Sequence, residues 1–111
     1  MDSHHLPDMA AELLTAARDA AHGRSAKGIV GGHGHLLRQV VMALTAGNAL
    51  AEHDSPDEAT LHVLQGRVVL TAGDVSWEGS AGDLLVIPRE RHDLKAVEDA
   101  VFILTVGVAQ H

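Results

Sequence analysis

GNALAEHDSPDEATLHVLQG, residues 47–66, contains two short strand-forming runs either side of a polar corner. Ala49 to His53 approaches the corner, and Asp54-Ser55-Pro56-Asp57-Glu58 forms it. Thr60 to Leu64 leaves it and stops at Gln65-Gly66. A glycine stands at each end of the stretch, where the backbone must turn and glycine is the residue that turns most freely. One histidine, His53, sits beside three carboxylates (Asp54, Asp57 and Glu58). If the chain has a chemical site, one wall of it is here.

The same short rhythm continues outward. Upstream, Leu36 to Thr45 is rich in β-formers and breaks at Ala46-Gly47-Asn48. Downstream, Arg67 to Ala72 meets Gly73-Asp74 and returns as Val75 to Glu78, which is a hairpin signal. After a second turn at Gly79 to Asp83, Leu84 to Pro88 reads as a buried apolar strand. His92 to Val97 is another strand, Glu98-Asp99 turns, and Ala100 to Ala109 is the last. Short strands at such even intervals suggest an all-β sandwich or barrel. Helical spacing is confined to Pro7–Ala21, where Met9, Leu13, Ala16, Ala17 and Ala20 form a narrow apolar stripe. Pro7 suits a first helical position and Gly23 a left-handed cap. Small stripe residues predict a helix lying on the outside of a larger body. The glycine-rich residues 23–35, GRSAKGIVGGHGH, read as a connector, and residues 1–6 as a loose arm. The expected division is 1–27 for arm and helix and 28–111 for the barrel.

Composition removes several function classes. At 111 residues the chain holds one domain. With one tryptophan, one phenylalanine and no tyrosine, its core must be aliphatic, and stacking on bases is disfavoured. The net charge of −7 and the lack of a basic patch argue against nucleic acid and anionic membranes. Nine histidines would carry that charge to +2 if all were protonated, so the surface field depends on mild acid. The absence of cysteine removes disulfides and thiolate metal sites, which leaves His, carboxylate or water as ligands. The N-terminus has neither the basic nor the apolar region of a secretory signal, and no apolar run approaches the roughly 20 residues of a membrane span. A cytoplasmic protein is expected.

From Gly47 onward the chain resembles the cupin superfamily, small double-stranded β-helix (jelly-roll) barrels. That family's first motif is Gly, five residues, His-x-His, three or four residues, Glu, six residues, Gly. Here Gly47, His53 and Gly66 stand in place, with Ser55 at the second histidine and Ala59 at the glutamate. The second motif is Gly, five residues, Pro-x-Gly, two residues, His, three residues, Asn. Gly82 and Pro88 match, Glu90 replaces the glycine, His92 arrives one residue early, and Ala96 replaces the asparagine. The resemblance implies an all-β jelly-roll barrel over about residues 36–108, with the N-terminal helix packed outside. It also implies a metal site, and two of the four ligand positions, His53 and His92, survive as candidates for Fe, Mn, Ni or Zn. Divalent metals in such sites generally need three protein ligands. A third would come from Asp57, Glu58 or His62, and strand alternation turns His62 away if position 59 points inward.

Three readings follow. The first is a barrel that binds a small molecule in a pocket of Val40, Met42, Leu61 and Val63, with Ser55 nearby and His53 and His92 as polar anchors. The second is a metal-dependent enzyme of the dioxygenase or isomerase type. The third is a packed barrel with a structural role. Exposed β edges predict a homodimer under all three. His33-Gly34-His35 is a weaker metal candidate that reads better as a polar lid. Arg38 faces either solvent or an anion, Trp77 reads as packing ahead of its alternative as a pocket wall, and the acid cluster reads as a solvated corner.

Overall fold

The computed structural model describes residues 1–53 and 58–107, with the backbone alone at His53. One helix and nine strands follow in chain order: α1 (Leu6–Asp19), β1 (Arg24–Val30), β2 (Leu37–Leu44), β3 (Ala49–His53), β4 (Glu58–Gln65), β5 (Arg67–Ala72), β6 (Val75–Ser80), β7 (Leu84–Val86), β8 (His92–Ala96) and β9 (Ala100–Gly107). They form two antiparallel sheets, β1-β2-β9-β4-β7 and β3-β8-β5-β6. Strands distant in sequence are neighbours in both sheets, as in a double-stranded β-helix.

Two apolar clusters hold the layers together. Between the sheets lie Leu44, Leu61, Val63 and Phe102 from one side and Val68, Leu70, Leu94 and Ala96 from the other. On the outer face of the five-stranded sheet, Met9, Ala10, Leu13, Leu14 and Ala17 of α1 cover Val41, Ala43, Val101 and Ile103. This explains why Val40–Leu44 and Ala100–Leu104 are apolar at every position. Successive side chains on a strand point to opposite faces, and here one face meets the barrel interior and the other meets the helix.

Three local expectations are corrected. The connector expected at 23–35 contains strand β1, so the division between residues 27 and 28 falls inside a strand. Little in its residues specifies a strand. It forms because Arg24 to Val30 pairs along β2, and because Ser25 Oγ donates to Leu13 O on α1 at 2.6 Å. The helical stripe is rotated: Ala10 and Leu14 are buried, whereas Ala16 is exposed and Ala20 lies beyond the helix end. The rotation puts the bulkier Leu14 against the sheet, where burial returns more than it does for alanine. Leu84 to Pro88 is not a buried strand. β7 ends at Val86 on the sheet's edge, leaving Leu84 62% and Val86 74% exposed.

Turn chemistry follows the backbone. Gly73, at φ 58°, opens the two-residue β5–β6 hairpin whose last pair is Ala72 and Val75. Asp99, between β8 and β9, joins three elements. Its carboxylate accepts from Ala46 N at 2.8 Å and from Arg18 Nε and Nη2 at 3.2 and 3.0 Å. The Ala46 N–H, and then the Arg18 guanidinium, hold this carboxyl below its usual 3.8. A lowered carboxyl pKa stabilises the fold above the unfolded-state value, and that contribution fades as pH falls through the folded-state value. Asp99→Ala is therefore expected to cost about 1 kcal/mol at pH 7. Thermal melts should show the gap between variant and parent closing below about pH 3.8, near the ordinary carboxylate value. A gap of constant size down to pH 2 would contradict this.

Candidate functional site

The two candidate histidines come from opposite ends of the sequence frame and meet by strand pairing. β3 and β8 run antiparallel, and His53 and His92 are direct Cα partners. On β8 the alternation buries His92, Leu94 and Ala96 and leaves Lys95 exposed. The one-residue shortening before His92 thus still delivers its side chain inward, at 4% exposure. Its Nδ1 lies 2.9 Å from the carbonyl oxygen of Glu90. A carbonyl only accepts, so Nδ1 carries the proton, and in a neutral ring the lone pair falls to Nε2.

His92 lines a cavity of about 60 Å³ inside the barrel. Its other walls among the described residues are apolar: Leu50, Leu61, Leu70, Ile87, Leu94, Phe102 and Leu104. A water occupies about 30 Å³ of liquid, so the space admits about two waters or the end of a small organic molecule. Of the expected pocket residues, Leu61 and His92 line this cavity. Val63 is fully buried in the same core, and Met42 packs against it. Val40 lies elsewhere, with Arg38 and Gly28 in an open cleft at the β1–β2 end. Ser55, Asp54 and Asp57 lie outside the described residues, as does the His53 side chain.

The remaining expected ligands are separated by strand parity. Ala59, Leu61 and Val63 are buried, so His62 between them faces outward. Glu58 also lies on the outer side, exposed, with Arg89 Nη2 at 3.6 Å from its Oε1. Arg91 Nε donates to Glu52 Oε1 at 2.8 Å. These two ion pairs tie the β7–β8 loop to the end of β3 and the start of β4. Being exposed, each contributes under about 1 kcal/mol, so they position the rim more than they stabilise it. Among the described residues no three His, Asp or Glu side chains come together to hold a metal. Alanine at position 59 puts a methyl group where the family's first motif has a carboxylate, so the described residues by themselves supply fewer than the three donors such a site needs.

The sequence reading missed the rim arginines and most of the cavity wall. For Leu94, Phe102 and Leu104 the signal was there, in the alternation along β8 and β9 once one inward residue is known. For the ion pairs there was none, since Glu52 and Arg91 stand 39 residues apart.

Comparison with known proteins agrees with this architecture. The family model described as Cupin domain matches residues 40–107. A conserved protein of unknown function from Streptococcus pyogenes is 24% identical with a TM-score of 0.73, covering 83% of this chain and 80% of its own. A cupin superfamily protein from Desulfitobacterium hafniense is 14% identical at TM-score 0.71, with 78% of each chain covered. KdgF from Halomonas sp. is 20% identical at TM-score 0.66, over 78% of this chain and 82% of its own. No curated protein matches. At these identities the solved structures speak for the fold alone.

Proposed function

Starting from the fact that this chain belongs to the cupin domain family, we propose that it is a small-molecule binding barrel with no resident catalytic metal. One observation carries the reading: an apolar cavity inside the barrel whose one polar wall among the described residues is His92. A pocket of that kind orients a ligand by one polar contact and holds it by apolar burial. Full-sized small-molecule pockets run to about 300–1,000 Å³. A cavity of about 60 Å³ therefore takes only one apolar end of a ligand, with its polar group set against His92. His53, directly across from His92 on β3, is the second anchor.

Two measurements test this. Short-chain alcohols and carboxylic acids of one to five carbons are expected to raise the melting temperature saturably, with an optimum at short lengths. At ten times the dissociation constant the stabilisation is about 1.4 kcal/mol. His92→Leu keeps the volume, removes the anchor, and should abolish it. Failure of every probe to stabilise the parent protein would leave a barrel that is merely packed.

Metal content separates binding from metalloenzyme chemistry. Protein purified without chelator is expected to carry well under one equivalent of Fe, Mn, Ni or Zn. One equivalent per chain, lost in both His53→Ala and His92→Ala, would overturn the metal-free reading in favour of a dioxygenase- or isomerase-type enzyme.

A further inference from the structure

We propose that the cleft between β6 and β7 binds a small organic cation, an ammonium group carried on a short apolar body. The cleft exists because of the topology. β6 is the edge of one sheet and β7 the edge of the other, so among the described residues neither has a second strand partner along this seam. The opening is about 280 Å³, and its walls include Leu70, Trp77, Leu85 and Pro88. It falls just below the usual range for ligand pockets of about 300–1,000 Å³, which suits an occupant of a few carbons. Leu70 also borders the barrel cavity, yet the two spaces are separate, and this site stands whether or not the barrel interior binds anything.

Charge selects the occupant. Among the described residues, Glu90 is the one ionisable side chain lining the cleft. It sits between Arg89 and Arg91 in sequence, but those arginines are engaged elsewhere, with Glu58 and Glu52. Among the described residues no Lys or Arg forms an ion pair with Glu90. An anionic ligand would be repelled here. A neutral apolar ligand would strip water from the carboxylate and return no hydrogen bond. An ammonium group satisfies it through a charge-assisted bond.

Trp77 adds a second attraction for the same charge. Its ring lies over Gly79, where an added Cβ would collide with the six-membered ring, so the glycine is what allows the indole to lie flat. The ring is only partly buried and forms part of the cleft wall. A cation within about 6 Å of an indole face is attracted by its quadrupole. A carboxylate and an indole on one apolar cleft are complementary to a cation with a hydrocarbon body.

Trp77 also makes the test specific. It is the only tryptophan, and the chain has no tyrosine, so intrinsic emission reports on this cleft. The probes are n-butylammonium, n-butyrate and butan-1-ol at fixed ionic strength and pH 7. The expected result is a saturable change with n-butylammonium, at least about tenfold tighter than either other probe, as one charge-assisted hydrogen bond would give. Glu90→Gln, an exposed substitution whose folding is checked by circular dichroism, should remove that preference. Selectivity in the parent protein stands as a test without any variant. No saturable response, an equal response to all three probes, or unchanged selectivity in Glu90→Gln would overturn the proposal. So would an emission shift that follows protein concentration in step with self-association, since the cleft would then be covered by a second copy.

Discussion

Gly66→Ala is expected to remove about 2–5 kcal/mol of stability, combining a left-handed backbone cost of about 1–2 kcal/mol with about 1–3 kcal/mol of overpacking. Gly66 joins β4 to β5 at φ 81°. A Cβ there would collide with the carbonyl oxygen of Asp99 and lie 2.8 Å from Ala100 Cα. Both are backbone atoms, so no side chain is able to swing aside. The displaced segment also carries Asp99, whose carboxylate ties α1 to the β2–β3 turn. Against a typical total of about 5–15 kcal/mol, the loss is a large share. Gly73 supplies the control. It too has a positive φ, at 58°, but an added Cβ there meets nothing within 4 Å. Gly73→Ala should therefore cost only the conformational part, about 1–2 kcal/mol. Urea unfolding of both variants decides the matter. If Gly66→Ala proves no worse than Gly73→Ala, the close approach to Asp99 is not what requires the glycine.

Phe102→Ala is the second large effect, expected at about 3–5 kcal/mol. Phe102 is 1% exposed and lies on β9, the middle strand of the five-stranded sheet, paired with Met42 on β2 and Val63 on β4. It is the only phenylalanine in the chain and forms part of the cavity wall. Truncating it removes apolar burial and leaves a void that the paired β2 and β4 backbones prevent from collapsing. The urea midpoint should fall by roughly 1–3 M with little change in slope. Phe102→Leu removes less volume and should cost less. It also enlarges the cavity beside His92, so short apolar ligands should bind it more tightly than the parent, because dry apolar voids in proteins accept such guests. A midpoint unchanged in Phe102→Ala would mean that the barrel centre is not the packed core described above.

These two residues show different degrees of legibility in the sequence. Gly66 was readable as the stop after Gln65 because a glycine at positive φ answers a local demand of the chain. The β5–β6 hairpin and the ends of β3 and β5 were readable for the same reason, since turn residues act over a few positions. His62 was placed outward by parity alone, once the inward side of β4 was anchored at Ala59. β1 was not readable. Its one glycine and its small residues carry no alternation, and it is a strand because β2 and α1 make it one. β7 misled for the opposite reason. Its continuous apolar run resembles a strand buried on both faces, and only its place at the sheet edge leaves Leu84 and Val86 in solvent.

The all-β frame and its glycine turns were thus set by the sequence itself, because backbone conformation and strand alternation are properties of neighbouring residues. The tertiary structure alone decided the rest. It reduced the expected barrel pocket to a cavity of about 60 Å³, sent Glu58 outward to Arg89, and opened the seam where Trp77 and Glu90 face one cleft. Each of these depends on which strands become neighbours across the chain, and volume, ion pairing and edge exposure exist only after that choice is made.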